Sequence, residues 1–332
     1  MDRNTLIELF DKMNQLHVVV VGDVMLDNYW WGNVDRISPE GPVPVVALEK
    51  TESRLGGAAN VALNCKALGA RVTLASIVGD DEQGDQLIKR TEEAGIQTEL
   101  LLRSAYRPTT SKTRVISRNQ QMLRIDKEIT TELTTEEEHP FIDAVLRYIQ
   151  IKKPDVLIFE DYNKGVLKEN VINHITAHCL ETGTITAVDP KLKNFLAYQN
   201  VTLFKPNLKE VKEGLHVSLD SINPETLAGV HEKLQAKLNH QITFITLSEK
   251  GVFYKKDKES AIIPSHIRNI ADVSGAGDTV IATASMVYAL TKDVALMASL
   301  SNLAGGLVCE QVGVVSIDKN RLLQEALVVH AS

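Results

Sequence analysis

The chain has 332 residues, 44% of them hydrophobic and 24% charged, which suits a soluble globular enzyme of one large α/β domain or two modest ones. With 36 Lys and Arg against 43 Asp and Glu, the net charge of −7 argues against nucleic acid or an anionic membrane as a partner. Cys65, Cys179 and Cys309 form no CxxC pair and the nine histidines lack ligand spacing, so no disulfide framework or zinc site is expected.

The N-terminal stretch Met1–Asn14 is polar and amphipathic rather than a signal peptide, and no apolar run is long enough to cross a bilayer. A cytoplasmic location is the expectation. His17–Gly22 is a β-branched run ending in a turn, the pattern of a buried parallel strand. Similar runs recur at Arg71–Val78, Asp155–Glu160, Thr184–Asp189, Val201–Lys205 and Ile242–Leu247. Helical periodicity lies between and after them, at Ala58–Leu68, Glu82–Ala94, Glu136–Ile151, Lys168–Glu181, Pro224–Leu238, Ala276–Leu290 and Val294–Val312. Strands alternating with helices predict a three-layer α/β sandwich around a central, mostly parallel sheet, with ligands at the carboxyl ends of the strands.

Two stretches break the alternation. Tyr29–Val34 with Val43–Lys50, and Lys112–Arg118 with Gln121–Asp126, read as strand pairs without intervening helices. They predict a small β-lid, about 29–50 and 112–126, inserted into a single domain covering the whole chain. Trp30 and Trp31 are adjacent in a lid strand, so they face opposite sides of it.

The chemistry concentrates in Asp272-Val-Ser-Gly-Ala-Gly-Asp278-Thr279. Gly275, Ala276 and Gly277 are small enough for the backbone to approach a phosphate, and they precede a helix whose free N–H groups and dipole favour an anion. Asp278 at the lip of this cradle is placed to take the proton of an attacking hydroxyl. Phosphoryl transfer needs both parts. Read without that motif, Gly56-Gly57 is a turn into the next helix with Asn60 as a cap, and Asp27 is a turn carboxylate. Likewise Asn207 and Glu210 have the spacing of a helix-capping box.

These residues resemble the signatures of the ribokinase-like (PfkB) carbohydrate kinases: Gly56-Gly-Ala-Ala-Asn60-Val-Ala62 early, and Gly275-Ala-Gly-Asp278 late. The family usually has Thr where this chain has Ser274, which keeps the hydroxyl. The resemblance implies a ribokinase-like sandwich with a β-lid over the sugar, ATP and Mg2+ as cofactors, and a homodimer formed through the lid. It implies Asp278 as catalytic base, with Gly275, Ala276 and Gly277 as the anion cradle. It further implies Asp27, Gly56, Gly57 and Asn60 on the sugar, and Asn207 and Glu210 organising the magnesium and phosphates, Glu210 through water. Thr246, Ser248 and Gly251 would lie over the nucleotide, and Asn302 against the adenine.

A narrower resemblance, to the heptose-phosphate kinases of the ADP-heptose pathway, rests on Gly22–Gly32, Arg36–Val45, Ser117–Arg124 and Asp161-Tyr-Asn-Lys-Gly165. It implies phosphorylation of the C1 hydroxyl of D-glycero-β-D-manno-heptose 7-phosphate. The nucleotidyltransferase domain that can follow such kinases is expected to be absent, since no HxGH-type motif occurs. A second phosphate on the sugar requires a basic site. Arg118 and Lys191 are the first candidates for it, with Asn119 and Asp161 as further sugar-site residues, and Lys112, Arg114, Arg124 and Lys164 as alternatives. The competing readings are another ribokinase-like kinase for a ketose, sugar acid or nucleoside, and a catalytically silent sugar-binding regulator. A dinucleotide-binding dehydrogenase is excluded by the missing Gly-x-Gly-x-x-Gly after the first strand.

Overall fold

The computed structural model describes residues 2–330 except 119 and 267, so Asn119 lies outside the described residues. Helix α1 (Arg3–Lys12), capped by the Asp2 carboxylate, leads into β1 (His17–Gly22). Two long strands follow, β2 (Val24–Ile37) and β3 (Pro44–Gly57), and then α2 (Ala58–Ala67), β4 (Arg71–Gly79), α3 (Glu82–Glu93) and β5 (Gln97–Ser104). After β6 (Ser111–Ser117) and β7 (Gln120–Lys127) come α4 (Thr135–Lys152), β8 (Val156–Glu160), α5 (Glu169–Thr182), β9 (Ile185–Asp189) and the two-residue β10 (Leu203–Phe204). The chain continues through α6 (Leu208–Leu215), α7 (Pro224–Leu238), β11 (Ile242–Thr246), β12 (Val252–Lys256) and β13 (Glu259–Ile263). It closes with α8 (Ala276–Thr291), α9 (Val294–Val308) and α10 (Lys319–His330).

Nine strands form one sheet in the order β13-β12-β11-β10-β9-β8-β1-β4-β5. It is parallel from β5 through β11, and β12 and β13 add an antiparallel edge. The apolar run of β1 explains why helices cover both faces. Val18 and Val20 point into one core with Phe10, Leu68, Ile281 and Leu303, while Val19 and Val21 point into the other with Phe141, Ile149, Ile172 and Leu234. All four valines are fully buried, each stabilising the fold by about 1.5–3 kcal/mol through burial of its side chain.

The lid is a separate four-stranded sheet in the order β3-β2-β6-β7. Its strands are longer than the sequence predicts, because the β2–β3 pairing continues inward from Trp31↔Lys50 through Asp27↔Arg54 to Val24↔Gly57. Asp27, Gly56 and Gly57 therefore sit at the root of the lid, where it joins the α/β body.

Several elements carried too weak a pattern to be read from sequence. β5 is a sheet edge with only three of its eight residues buried. The β12–β13 hairpin turns through Asp257 at φ 50° and Lys258, without the Asn-Gly or Asp-Gly pair that marks such turns. In the other direction, α9 stops at Val308 rather than Val312, and Gly313 at φ 78° turns the chain back towards the lid.

Candidate active site

The N-terminus of α8 organises the site. Gly275 caps the helix at φ 79°, a conformation that favours glycine, and it lies beside Asn60. Asp278 follows in the first turn, 5% exposed. Its Oδ2 accepts from Asn60 Nδ2 at 2.6 Å and its Oδ1 from the Tyr162 hydroxyl at 3.1 Å. Burial raises the proton affinity of Asp278 to a pKa of about 6, against the pull of Asn60, Tyr162 and Lys205, with Asp189 adding repulsion. The carboxylate is thus ionised at neutral pH and held by two donors that fix its plane.

Strand ends meet beneath α8, as expected for an open α/β sheet. Lys205, 2% exposed beyond β10, bonds Asp189 at the end of β9 at 2.7 Å. A Cβ on Gly277 would lie 3.6 Å from Asp189 Oδ2 and 3.8 Å from Lys205 Nζ, so this pair borders the cradle. Lys191 bonds Glu210 at 3.0 Å, reaches Asp189 at 3.5 Å and stands 5.3 Å from the centre of the Tyr162 ring. Its proton is held more tightly than usual because Asp189 and Glu210 outweigh the effect of burial.

A cleft of about 700 Å3 runs from this point along α8 and α9. Tyr162, Asp189, Lys191, Lys205 and Asp278 line one end, Asn302, Gly306 and Arg268 the other, and Asn207, Thr246, Ser248 and Gly251 lie on its wall. Gly251 stands at φ 91°, and a Cβ there would meet Ile263 O at 2.0 Å. Asn302 donates to Pro264 O at 2.9 Å, which holds the segment after β13 over the cleft.

Asn207 and Glu210 do form the capping box that their spacing suggests. Their capping box is complete, with Glu210 N donating to Asn207 Oδ1 at 2.9 Å and Asn207 N to Glu210 Oε2 at 2.8 Å. The other Glu210 oxygen holds Lys191. Because both oxygens already have partners, the donor set fits a hydrated magnesium contacted through water rather than directly.

At the sugar end, Asp27 is 5% exposed and accepts from Arg114 Nη1 at 2.6 Å. Arg114 is level with Tyr29 on the neighbouring strand and Lys112 level with Asp27, so all four share the face of the lid that carries Asp27. A Cβ on Gly56 would lie 2.2 Å from Asp27 Oδ2, and Gly57, at φ 59°, has no room beside Asp23 O. Asp27, Gly56, Gly57, Asn60 and Asp278 are therefore brought into one continuous region.

Three expectations are corrected. Arg118 does not continue the β6 face. The strand ends at Ser117, Arg118 turns out of it at φ 49°, and its side chain is 76% exposed, 3.8 Å from Asp35. Lys191, a first candidate for the distal phosphate, stands instead with Asp189 and Glu210 at the Asp278 end of the cleft. Asp161 is turned into the interior, where it accepts from Asn163 N, Asn194 Nδ2 and the Tyr198 hydroxyl at 2.8–2.9 Å. Its neighbour Tyr162 faces the site instead. Sequence reasoning missed Tyr162, although the Asp161–Gly165 motif contained it. It also missed Lys205, whose signal was a lysine ending a strand, and Arg268, which is set between Glu310 and Glu325 and packs against Gly306.

Among the described residues no helix is long and apolar enough to cross a membrane. Comparison with solved structures finds phosphofructokinase-2 from Escherichia coli in complex with potassium, at TM-score 0.77 and 17% identity over 95% of this chain and 98% of that one. Arabidopsis thaliana ribokinase complexed with ribose and ATP matches at TM-score 0.71 and 14% identity, over 93% and 99%. These likenesses show the ribokinase-like fold. Among curated proteins, the bifunctional protein HldE of Campylobacter curvus is 39% identical over 90% of this chain and 62% of its own length, and that of Methylobacillus flagellatus 38% over 93% and 62%. HldE of Pelobacter propionicus aligns with the whole chain at 34% identity. The chain thus spans a little under two thirds of the length of the first two of these relatives. Residues 15–320 match the pfkB family carbohydrate kinase model, so the chain belongs to the pfkB family of carbohydrate kinases, phosphotransferases that act on a sugar hydroxyl.

Proposed function

We propose that the protein transfers the γ-phosphoryl group of ATP to the C1 hydroxyl of D-glycero-β-D-manno-heptose 7-phosphate, in the cytoplasm and on the route to ADP-heptose. The observation that carries the reading is Asp278. It is an ionised, two-donor-anchored carboxylate between the anion cradle of α8 and the lid root that presents Asp27. Similarity to HldE proteins joins the narrower sequence resemblance in favouring a heptose phosphate.

ATP would lie along the cleft with its base near Asn302 and Gly306 and its phosphates at Gly275, Ala276 and Gly277, at the positive end of the α8 dipole. A hydrated magnesium, contacted through water by Glu210, would offset charge on the phosphates. Lys205 and Lys191 add fixed positive charge at the same end. Asp278 takes the hydroxyl proton as the bond to phosphorus forms, while Asn60 and Tyr162 hold its oxygens in place. On the sugar side, Asp27 would accept from ring hydroxyls. Arg114, Lys112 and Lys164 are better placed than Arg118 for the 7-phosphate, because Arg114 and Lys112 lie on the Asp27 face and Lys164 is close enough to add its charge to the burial that lowers the proton affinity of Lys112. The opposite lid face exposes Trp30, Leu123 and Ile125, which supports a homodimer through the lid, to be tested by sedentation equilibrium of a Leu123→Glu variant.

The test is magnesium-dependent ADP formation with β-heptose 7-phosphate, fructose 6-phosphate, ribose and adenosine, for the wild type and Asp278→Asn. Turnover confined to the heptose phosphate and lost in the variant is expected. Turnover on another acceptor would discard the heptose assignment, and binding without turnover on any acceptor would overturn the kinase reaction.

A further inference from the structure

One ionisable group at the catalytic end is left unused by this mechanism. Glu160 closes β8, has no exposed surface, and both of its carboxyl oxygens lack a hydrogen-bond partner. It is absent from the cleft wall, yet one of its oxygens lies within 4.8 Å of an oxygen of Asp189 and of Asp278. A buried carboxylate with no donor is an arrangement that proteins avoid, because nothing replaces the lost water.

The surroundings sharpen the problem. Asp189 faces Glu160 from the end of β9, Asp278 from α8, Lys191 from the loop after β9 and Lys205 from beyond β10. The Tyr162 hydroxyl also feels its charge. On the β1 side Asp23 is turned away, accepting from the amides of Tyr162, Lys164 and Val166. Asp189, Asp278 and Glu210 already outnumber the two ammonium groups, and both lysines are engaged with Asp189 or Glu210. A fourth negative charge would have no counter-ion.

We infer that Glu160 keeps its proton throughout turnover, so that Asp278 is the carboxyl of this pair that ionises and serves as base. Burial, followed by the charges of Asp189 and Asp278, raises the proton affinity of Glu160 well above the ordinary range, in agreement with the geometry. An ionised Glu160 would push the Asp278 proton affinity upward from behind and repel incoming phosphates. A neutral Glu160 does neither. The inference rests on the reading of Asp278 as the base.

The test compares infrared spectra of the wild type and Glu160→Gln, and the pH dependence of kcat for both. The difference spectrum is expected to contain the carbonyl band of a buried carboxylic acid at neutral pH, and the band should persist in mildly alkaline buffer. The acid limb of kcat should stay in place, with kcat/KM within about twofold, because Gln reproduces a neutral Glu. A missing band overturns the inference. So does an acid limb moved down by about one pH unit, the sign of a removed negative charge. Loss of the band on adding magnesium would place a cation among the three carboxylates and overturn it as well. Should the Gln variant not fold, Glu160→Met supplies the reference spectrum. The spectra need no turnover, so an Asp278→Asn variant that stays active would remove the base reading while leaving the protonation of Glu160 to be judged separately.

Discussion

The two ends of the site are built on opposite principles. At the phosphoryl end, ionisable groups come from strand ends and α8 of the body, and they are buried: Asp278, Asp189, Lys205 and Glu160 are all at 5% exposure or less. At the sugar end, Asp27 is buried at the lid root, but the charges beyond it stand on lid strands that open to water towards β7. Every residue of β7 is exposed, and Arg124 there pairs with Asp126 two residues away. Burial makes the first set strongly coupled and fixed in advance, which is what charge stabilisation of a transition state requires. Hydration leaves the second set individually weak, so recognition there depends on several charges converging on the ligand.

Four experiments break or sharpen this contrast. The largest effect belongs to Asp278→Asn, which should lower kcat by about 10²–10⁴-fold with little change in the KM for ATP, measured by steady-state kinetics. The wild-type rate should fall as pH drops through about 6, where Asp278 becomes protonated. Stability moves the other way. The folded carboxyl keeps its proton up to about 6 against an ordinary 3.8, so stability is full below 3.8 and is lost as pH rises through about 6. Asp278→Asn escapes that loss and should be more stable than the wild type at pH 7, by roughly 3 kcal/mol in denaturant unfolding, with the gap closing below pH 4.

Lys205→Met leaves Asp189 in the interior with only the longer contact to Lys191 and should cost about 3 kcal/mol of stability, read in the same unfolding assay. Arg114→Gln removes one charged partner of Asp27 at a half-open position. It should raise the KM for the sugar phosphate about tenfold while sparing the KM for ATP. Arg118→Ala should leave both KM values unchanged, because its side chain points to solvent beyond the end of β6. An Arg118 effect as large as that of Arg114 would mean that the lid hairpin, and not the strand face, reads the distal phosphate.

The body was more legible from sequence than the lid, for a physical reason. Runs such as His17–Gly22 are buried on both sides, so their composition alone declares them, and Pro224–Leu238 begins and ends at residues that cap it, Asn223 and Asn239. Asp278 and its glycines were legible because an anion cradle needs small residues at a helix start. The Asp161/Tyr162 choice was not, because which neighbour faces the cleft depends on Asn194 and Tyr198, more than thirty residues away. The place of Arg118 was not legible either, because a strand read as running through it ends one residue earlier, where Arg118 turns at φ 49°. Glu160 stood out in the sequence only as a polar residue at the carboxyl end of a strand, with nothing to mark its protonation. Its meaning comes from Asp189 and Asp278, which the fold brings to it from later in the chain.

The lid is discontinuous in the chain: β2 and β3 form one hairpin, and β6 joins it parallel to β2 only after residues 58–110 have run through α2, β4, α3 and β5. A parallel partner arriving across so long an excursion makes this a pairing of high sequence separation, and such contacts form late. The half of the site that reads the substrate is therefore expected to be the last part of this region to assemble. In pulsed hydrogen exchange during refolding, the amides of Thr113–Ile116 should gain protection after those of β1 and β4. A nascent chain whose first 110 residues have emerged would carry Asp27 and the glycine pair but not yet the strand that supplies Arg114.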